Sequence, residues 1–194
     1  MSVNTIHSNL KPPITESYWV QPGRFLAGEY PAAHAGPAGQ RLDAFLKAGI
    51  TRFFDLTQPH ELRSYEDVLQ ARGRELGMDV SYHRFSIRDH SVPSRETMVR
   101  LLDAIDRELS LGHNIYVHCW GGIGRTGLTV GCYLVRHGES HEGALARVNQ
   151  LYRTRPRNPY YPNSPETPEQ VEFVSAWREV PQASHQSRQS FCEG

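Results

Sequence analysis

The sequence predicts an α/β protein, a three-layer sandwich whose central, mostly parallel sheet lies between helices. Two observations predict it. Short apolar runs of strand composition alternate with longer stretches of helical periodicity from about residue 18 to residue 177. And one Gly-rich turn, VHCWGGIGRTG (Val117 to Gly127), falls between a strand and a helix, at the carboxyl end of that strand, which is where such sheets build their sites.

Each element has a local reason. Residues 1–17 are polar and carry Pro12-Pro13, so they read as a loose arm. Tyr18 to Pro31 reads as two short strands around a Pro-Gly turn. Leu42, Phe45 and Leu46 stand at helical spacing within a helix over Ala38 to Ala48, stopped by Gly49. Ile50 to Thr57 is a buried strand by composition, and Tyr65 to Leu76 a helix closed by Gly77. Asp79 to Ile87 alternates as a strand should.

Ser94 then caps a helix running to about Leu109, with Met98, Leu101, Leu102, Ile105 and Leu109 as its apolar stripe. Thr97 stands where a capping box carries Glu. Asn114 to Val117 is the strand that enters the turn, and a helix follows from about Arg125 to His137. Another helix spans about His141 to Tyr152, and a last one about Pro165 to Trp177, after the loop RTRPRNPYYPNSP. The polar segment 180–194 reads as a flexible tail, leaving one folded domain over residues 18–179.

Bulk properties exclude several classes of partner. With 21 basic and 21 acidic residues the net charge is zero, which argues against nucleic acid or an anionic membrane as a bulk partner. No apolar run approaches the ~18 residues of a membrane span. Cys119, Cys132 and Cys192 are too few and too scattered for a disulfide framework, so a reducing, cytoplasmic setting is expected. The ten His residues show no metal-ligand spacing, so no metal and no cofactor are expected.

The turn admits three readings. Gly122-Ile123-Gly124-Arg125-Thr126-Gly127 matches G-x-G-x-x-G, but the dinucleotide pattern needs a second strand ending in an acid, and here Glu139 and Glu142 lie between two helices. The P-loop lysine is absent, since Arg125 follows Gly124. Tight packing alone explains a Gly-rich turn and a buried thiol, but not Arg125 and Thr126 at the same mouth. The third reading is chemical. A loop wrapped around Cys119 converges its backbone N–H groups on one point, and the next helix aims its positive end there. Gly121, Gly122 and Gly124 are expected to supply the backbone freedom. That is a nest for a tetrahedral dianion, and it favours a thiolate as well. Arg125 can clamp the anion bidentately, and Thr126 can donate its hydroxyl to the sulfur.

HCWGGIGRTG resembles the signature loop of the cysteine-dependent tyrosine and dual-specificity protein phosphatases: Cys, five residues, Arg, then Ser or Thr, with His118 and Gly124 also matching. The resemblance covers about Arg24 to Trp177 and is nearest the small dual-specificity branch, bacterial and cyclin-dependent-kinase-associated. It implies hydrolysis of phosphate monoesters, with Cys119 as nucleophile, Arg125 as clamp, and the amides of Trp120, Gly121, Gly122, Ile123, Gly124 and Arg125 holding the phosphate. It implies a general acid on a loop about thirty residues upstream, a place held by Asp89; Asp55 and Asp79 are rivals, and Asp55 reads as structural.

It further implies that His118 braces the loop. Gln170 has two readings, orienting the attacking water or standing idle on a helix surface. The Trp-Pro-Asp loop and tyrosine-recognition insert of the tyrosine-only enzymes are absent, which favours a compact site. Relatives acting on inositol lipids carry Lys in the loop; Trp120 and Ile123 stand there instead. The substrate is thus expected to be a phosphorylated protein, or else a small phosphate monoester, with Trp120 either stacking on it or packed under a neighbouring loop. Arg63, Arg88, Arg153, Arg155 and Arg157 are candidates to line its approach. For Cys132, core packing stands against a redox disulfide with Cys119. The rate is expected to be highest in acid, where thiolate and carboxylic acid coexist.

Overall fold

The structure, a computed structural model, describes residues 10–32 and 38–179. The expected tail with Cys192, and residues 1–9 of the expected arm, lie outside the described residues. Among the described residues five strands form one sheet: β1 (Ser17–Gln21), β2 (Phe25–Gly28), β3 (Ile50–Asp55), β4 (Ser81–Arg84) and β5 (Asn114–His118), in the order β1-β2-β5-β3-β4. Only the β1–β2 pair is antiparallel. The helices are α1 (Ala38–Lys47), α2 (Glu66–Glu75), α3 (Arg95–Ser110), α4 (Gly124–Arg136), α5 (His141–Tyr152) and α6 (Pro168–Ser175).

Strand residues alternate between two cores, as the pleat requires. Phe25, Ala27, Phe54, Ile115 and Val117 face α3 to α6, while Leu26, Phe53 and Tyr116 face α1 and α2. Burying each such large side chain contributes about 1.5–3 kcal/mol before the entropy of ordering it. β5 is the central strand, covered on both faces, and Cys119 follows directly on its carboxyl end.

α4 is buried from Gly124 to Leu134, so its surroundings fix the start of the helix. A Cβ on Gly127 would fall 2.0 Å from Ser164 Oγ. That close approach draws the segment before α6 against the Gly-rich turn.

Several element ends differ from expectation, β3 among them, which stops at Asp55 and not at Thr57. The expected arm stops short of residue 17: Ile14 is buried, and Ser17 opens β1 while its hydroxyl donates to the Ile14 carbonyl at 2.8 Å. β4 pairs only over Ser81–Arg84; beyond it Phe85 donates to the carbonyl of Asp55, the last residue of β3, and Ile87 to that of Leu56, which carries the chain toward the site. α6 starts at Pro168, since Thr167 caps it and accepts from the Gln170 N–H. At α3, Ser94 accepts from the Thr97 N–H at 3.1 Å, as its sequence indicates.

Candidate active site

The turn after β5 is held entirely from its outer side. His118 Nδ1 donates to the Cys119 carbonyl at 3.0 Å, and the Tyr30 N–H to the Trp120 carbonyl at 2.7 Å. Arg155 donates to the Gly121 carbonyl at 3.0 Å and to the Gly122 carbonyl at 2.9 Å. Ser164 donates to the Ile123 carbonyl at 2.7 Å. In a trans peptide the C=O and N–H point opposite ways, so five outward carbonyls turn the N–H groups of Trp120, Gly121, Gly122, Ile123 and Gly124 to the other side. Among the described residues none of those five N–H groups has an acceptor. α4 adds its own free N–H groups, with no side-chain cap and no acid in its first turn.

One of the three glycines expected to shape the nest needs to be glycine for its backbone. Gly122 has φ +67°, and a Cβ there would lie 2.1 Å from the Gly28 carbonyl carbon. Gly124 instead makes room for α6, since its Cβ would meet the Gln170 amide at 2.8 Å. Gly121 has neither constraint.

Cys119 and Arg125 are both buried, at 3% and 1% exposure, and both line one cavity of about 330 Å³ together with Asp89, His90, Trp120, Tyr161 and Glu166. Glu61 takes both Nη atoms of Arg125, at 2.8 and 2.6 Å. The Ile87 carbonyl accepts from Nη1 at 3.1 Å, and Asp89 Oδ1 lies 2.8 Å from Nη2. Burial opposes the charge of Arg125, and Glu61, with Cys119 and Asp89 nearby, more than offsets it and raises its pKa. Burial likewise opposes ionisation of Glu61, yet the Arg125 hydrogen bonds hold that carboxyl below its usual value. The Nε of Arg125 is buried and unpartnered. Glu61 therefore occupies one edge of the guanidinium and leaves the Nε–Nη2 edge for an anion, with Asp89 beside it.

His118 is fully buried between Cys119 and Tyr65, whose hydroxyl donates to Nε2 at 2.7 Å. Burial lowers its pKa, with Asp55 nearby opposing that shift. Thr126 is buried, its hydroxyl 3.5 Å from the Gly28 carbonyl oxygen. Gln170 is fully buried and not on a helix surface. Its amide oxygen accepts from the Glu166 and Thr167 N–H groups, both at 3.3 Å, and its amide nitrogen donates to the Ser91 carbonyl at 3.2 Å. It ties the Asp89 loop to α6.

Asp55 is tied down by Thr57, Tyr82 and Arg84, as a structural reading requires. Asp79 pairs with Arg52 and precedes β4, at the end of the sheet away from Cys119. Cys132 is buried in the α3–α6 core with its pKa raised by that burial, and it and Cys119 are free thiols. Trp120 is 54% exposed at the cavity mouth, not packed beneath a loop. Of the arginines expected at the approach, Arg155 grips the turn, Arg153 and Arg157 line a neighbouring cavity, and Arg63 and Arg88 line neither.

Glu61, Ser164, His90 and Glu166 carry no sequence signal, because long-range packing brings them in. His90 sits at φ +58° and its Nδ1 lies 2.7 Å from Glu166 Oε1. Burial raises the pKa of Glu166. Asp89, His90 and Glu166 bring one donor atom each within 4.8 Å. Asp89 already pairs with Arg125, and His90 with Glu166, so these contacts anchor the loop.

A thiol at a central strand end, ringed by unpartnered N–H groups and faced by a braced arginine, places the molecule in the superfamily of cysteine-dependent tyrosine and dual-specificity phosphatases. Within it, the chain belongs to the family described as Tc-R-P, "Polymorphic toxin system, DSP-PTPase phosphatase", whose profile matches residues 30–139. It is 41% identical over 66 residues to an Arabidopsis thaliana phosphatidylglycerophosphate phosphatase, covering 34% of this chain and 19% of the relative. It is 36% identical over 99 residues to an Arabidopsis thaliana phosphatidylinositol 3,4,5-trisphosphate 3-phosphatase and protein-tyrosine-phosphatase, covering 50% and 23%. The matches thus span under a quarter of each curated relative. The solved structure of a mutant form of Tk-PTP superposes with a TM-score of 0.66 at 25% identity, covering 83% of this chain and 93% of that one.

Proposed function

We propose that this chain hydrolyses phosphate monoesters through a cysteinyl-phosphate on Cys119, with phosphotyrosine in proteins as its main substrate and phosphoserine and phosphothreonine as secondary ones. One observation carries this reading: Trp120, Gly121, Ile123 and Gly124, whose N–H groups are unpartnered, Arg125 with its unpartnered Nε, and Cys119 with its free thiol all line one cavity. Hydrogen-bond donors arrayed around an oxyanion are worth most when fixed beforehand, and here the outer contacts of the turn fix them.

In the first step the Cys119 thiolate attacks phosphorus and the bond to the ester oxygen breaks. Asp89 gives that oxygen its proton. The incoming phosphate takes the Nε–Nη2 edge of Arg125, which frees Asp89 for the leaving group. In the second step water attacks phosphorus, the Asp89 carboxylate takes its proton, and the S–P bond breaks to return thiolate and inorganic phosphate. Thr126 turns its loosely held hydroxyl toward the departing sulfur. Since both ends of the Gln170 amide are engaged, orienting the water falls to Asp89. No cofactor enters this scheme. Two free thiols suit a reducing cytoplasm, and among the described residues no helix is long and apolar enough to cross a membrane.

A second reading, phosphatase action on non-protein phosphates, draws on the lipid-phosphate relatives. Against polyphosphorylated inositol stands the turn itself, where Trp120 and Ile123 offer no second cation. A binding adaptor without turnover is disfavoured by the full set of Cys119, Arg125, Asp89 and Thr126. The test is phosphate release from p-nitrophenyl phosphate across acid to alkaline pH, then from phosphopeptides and lipid phosphates at matched concentration. A bell-shaped profile highest in acid, with phosphotyrosine peptide as best substrate, is expected. Binding of tungstate without any phosphate release would instead make the turn a recognition nest.

A further inference from the structure

Three ionisable side chains meet where the loop carrying Asp89 passes the segment before α6, and all three line the catalytic cavity. Each ring nitrogen of His90 faces a carboxylate: Glu166 Oε1 lies 2.7 Å from Nδ1, and Asp89 Oδ2 lies 3.5 Å from Nε2. Only the imidazolium form can donate from both nitrogens. The backbone that brings the ring there has φ +58°, a left-handed conformation that only His60 shares among the described residues other than glycine. Such a conformation is costly and persists where its surroundings hold it. The same two stretches of chain are also tied by Gln170, between the Glu166 N–H and the Ser91 carbonyl. Holding the loop therefore does not depend on His90 alone, and the His90–Glu166 contact adds charge where a tie already exists.

The charges that face Asp89 come from four places. Arg125, braced by Glu61, reaches it from α4, with Nη2 2.8 Å from Oδ1. His90 faces it from its own loop, Glu166 from the segment before α6, and Cys119 shares the cavity. Burial raises the pKa of Glu166; the charge of His90 opposes the rise and that of Asp89 adds to it. That influence is mutual, so Glu166 favours the protonated form of Asp89.

We infer that His90 and Glu166 are positioning residues for the general acid and act as a charge-balanced pair: the imidazolium steadies the Asp89 carboxyl, and the Glu166 carboxylate offsets the imidazolium's field there. The inference rests on the phosphatase reading of the cavity. His90 alone would favour the Asp89 carboxylate, which cannot protonate the ester oxygen. Glu166 alone would favour the acid form, which cannot take the proton from water in the second step. Balanced, the pair leaves Asp89 able to do both.

The test is the pH profile of kcat/KM for p-nitrophenyl phosphate, with the full-length protein. Glu166→Gln leaves the imidazolium unopposed, so the alkaline limb should move to lower pH. His90→Asn, whose new side chain tolerates a positive φ, leaves Glu166 unopposed, so the limb should move to higher pH. Asp89 and His90 are 43% and 59% exposed, so water screens the pair, and each shift should be about 0.5–1 pH unit. The double variant should return the limb close to the parent's. In an Asp89→Asn background neither change should move the profile, because the proton they act on is gone. A brace without an electrostatic role would lower the rate and leave the limb in place, or move it the same way in both single variants; either result overturns the inference. So does a Glu166→Gln protein that loses as much activity as Asp89→Asn together with its alkaline limb, since Glu166 would then be the proton donor itself. A parent protein that releases no phosphate overturns the phosphatase reading, and the pair's role falls with it. Unmoved limbs in a parent that turns over overturn the pair alone.

Discussion

Two of the stretches of backbone that wall the catalytic cavity are built in opposite ways. The turn from Cys119 to Arg125 is short, largely buried, and held at five successive carbonyls. The segment from Arg153 to Glu166 is long, mostly exposed, and held at a few points, chiefly Arg155, Ser164 and the Tyr152 hydroxyl on the Tyr161 carbonyl. The first has the rigidity that chemistry on a phosphate needs; the second has exposed cations and aromatic faces, which suit recognition. The contrast teaches that the nest is not self-supporting. Its inward N–H groups exist because the second segment, Tyr30 just past β2 and its own His118 pull its carbonyls outward.

Variants of the turn should break the comparison first. Cys119→Ser should abolish phosphate release, measured with p-nitrophenyl phosphate. Arg125→Lys keeps the charge but loses the two-edged fork, and its kcat should fall by about 10²–10³-fold. Asp89→Asn should cost about 10²-fold and flatten the alkaline limb of the pH profile, because the proton donor is gone. Gly122→Ala combines a positive φ with a clash against the Gly28 backbone, and should lose at least about 3 kcal/mol in denaturant titration.

The loop is expected to act through the turn. Arg155→Met removes two outer contacts without touching substrate, and should lower kcat about tenfold while thermal unfolding shifts little. A normal kcat in that variant would show that the turn holds itself. The smallest effect is at the edge of the site. Burial opposes ionisation of Asp55, but nearby His118 and the hydrogen bonds of Tyr82 and Thr57 outweigh it and hold its pKa below the ordinary 3.8. Such a carboxylate adds stability above that value and loses it as the pH falls through the lower folded one. Asp55→Asn should therefore unfold more easily at neutral pH and differ least from the parent in strong acid.

Sequence periodicity placed every strand and helix, because each depends on neighbours a few positions away. Cys119, Arg125 and His118 were legible for the same reason: strand end, turn and helix start are contiguous. Asp89 was legible only through the spacing of the family it resembles. Glu61 was not, since nothing local marks a glutamate between β3 and α2 as the partner of an arginine 64 positions on. Ser164 reaches the turn because Gly127 lets it approach α4, and Arg155 arrives from a loop 33 positions beyond Gly122. Of the two readings of Gln170 the surface one fails, as the capping box spelled by Thr167-Pro168-Glu169-Gln170 could have signalled. The number of glycines suggested a nest strained along its length, whereas the strain sits at Gly122 and the space around Gly124 serves α6.

The central claim is that phosphate passes through Cys119, and an acid quench of the turning-over enzyme tests it most directly. Asp89→Asn protein would be mixed with a good aryl phosphate, quenched with acid and digested, and the Cys119 peptide weighed by mass spectrometry. The account predicts that this peptide, and not the one bearing Cys132, gains the mass of one phosphate. Steady release of phosphate with Cys119 unmodified at every quench time, and undiminished in Cys119→Ser, would contradict it.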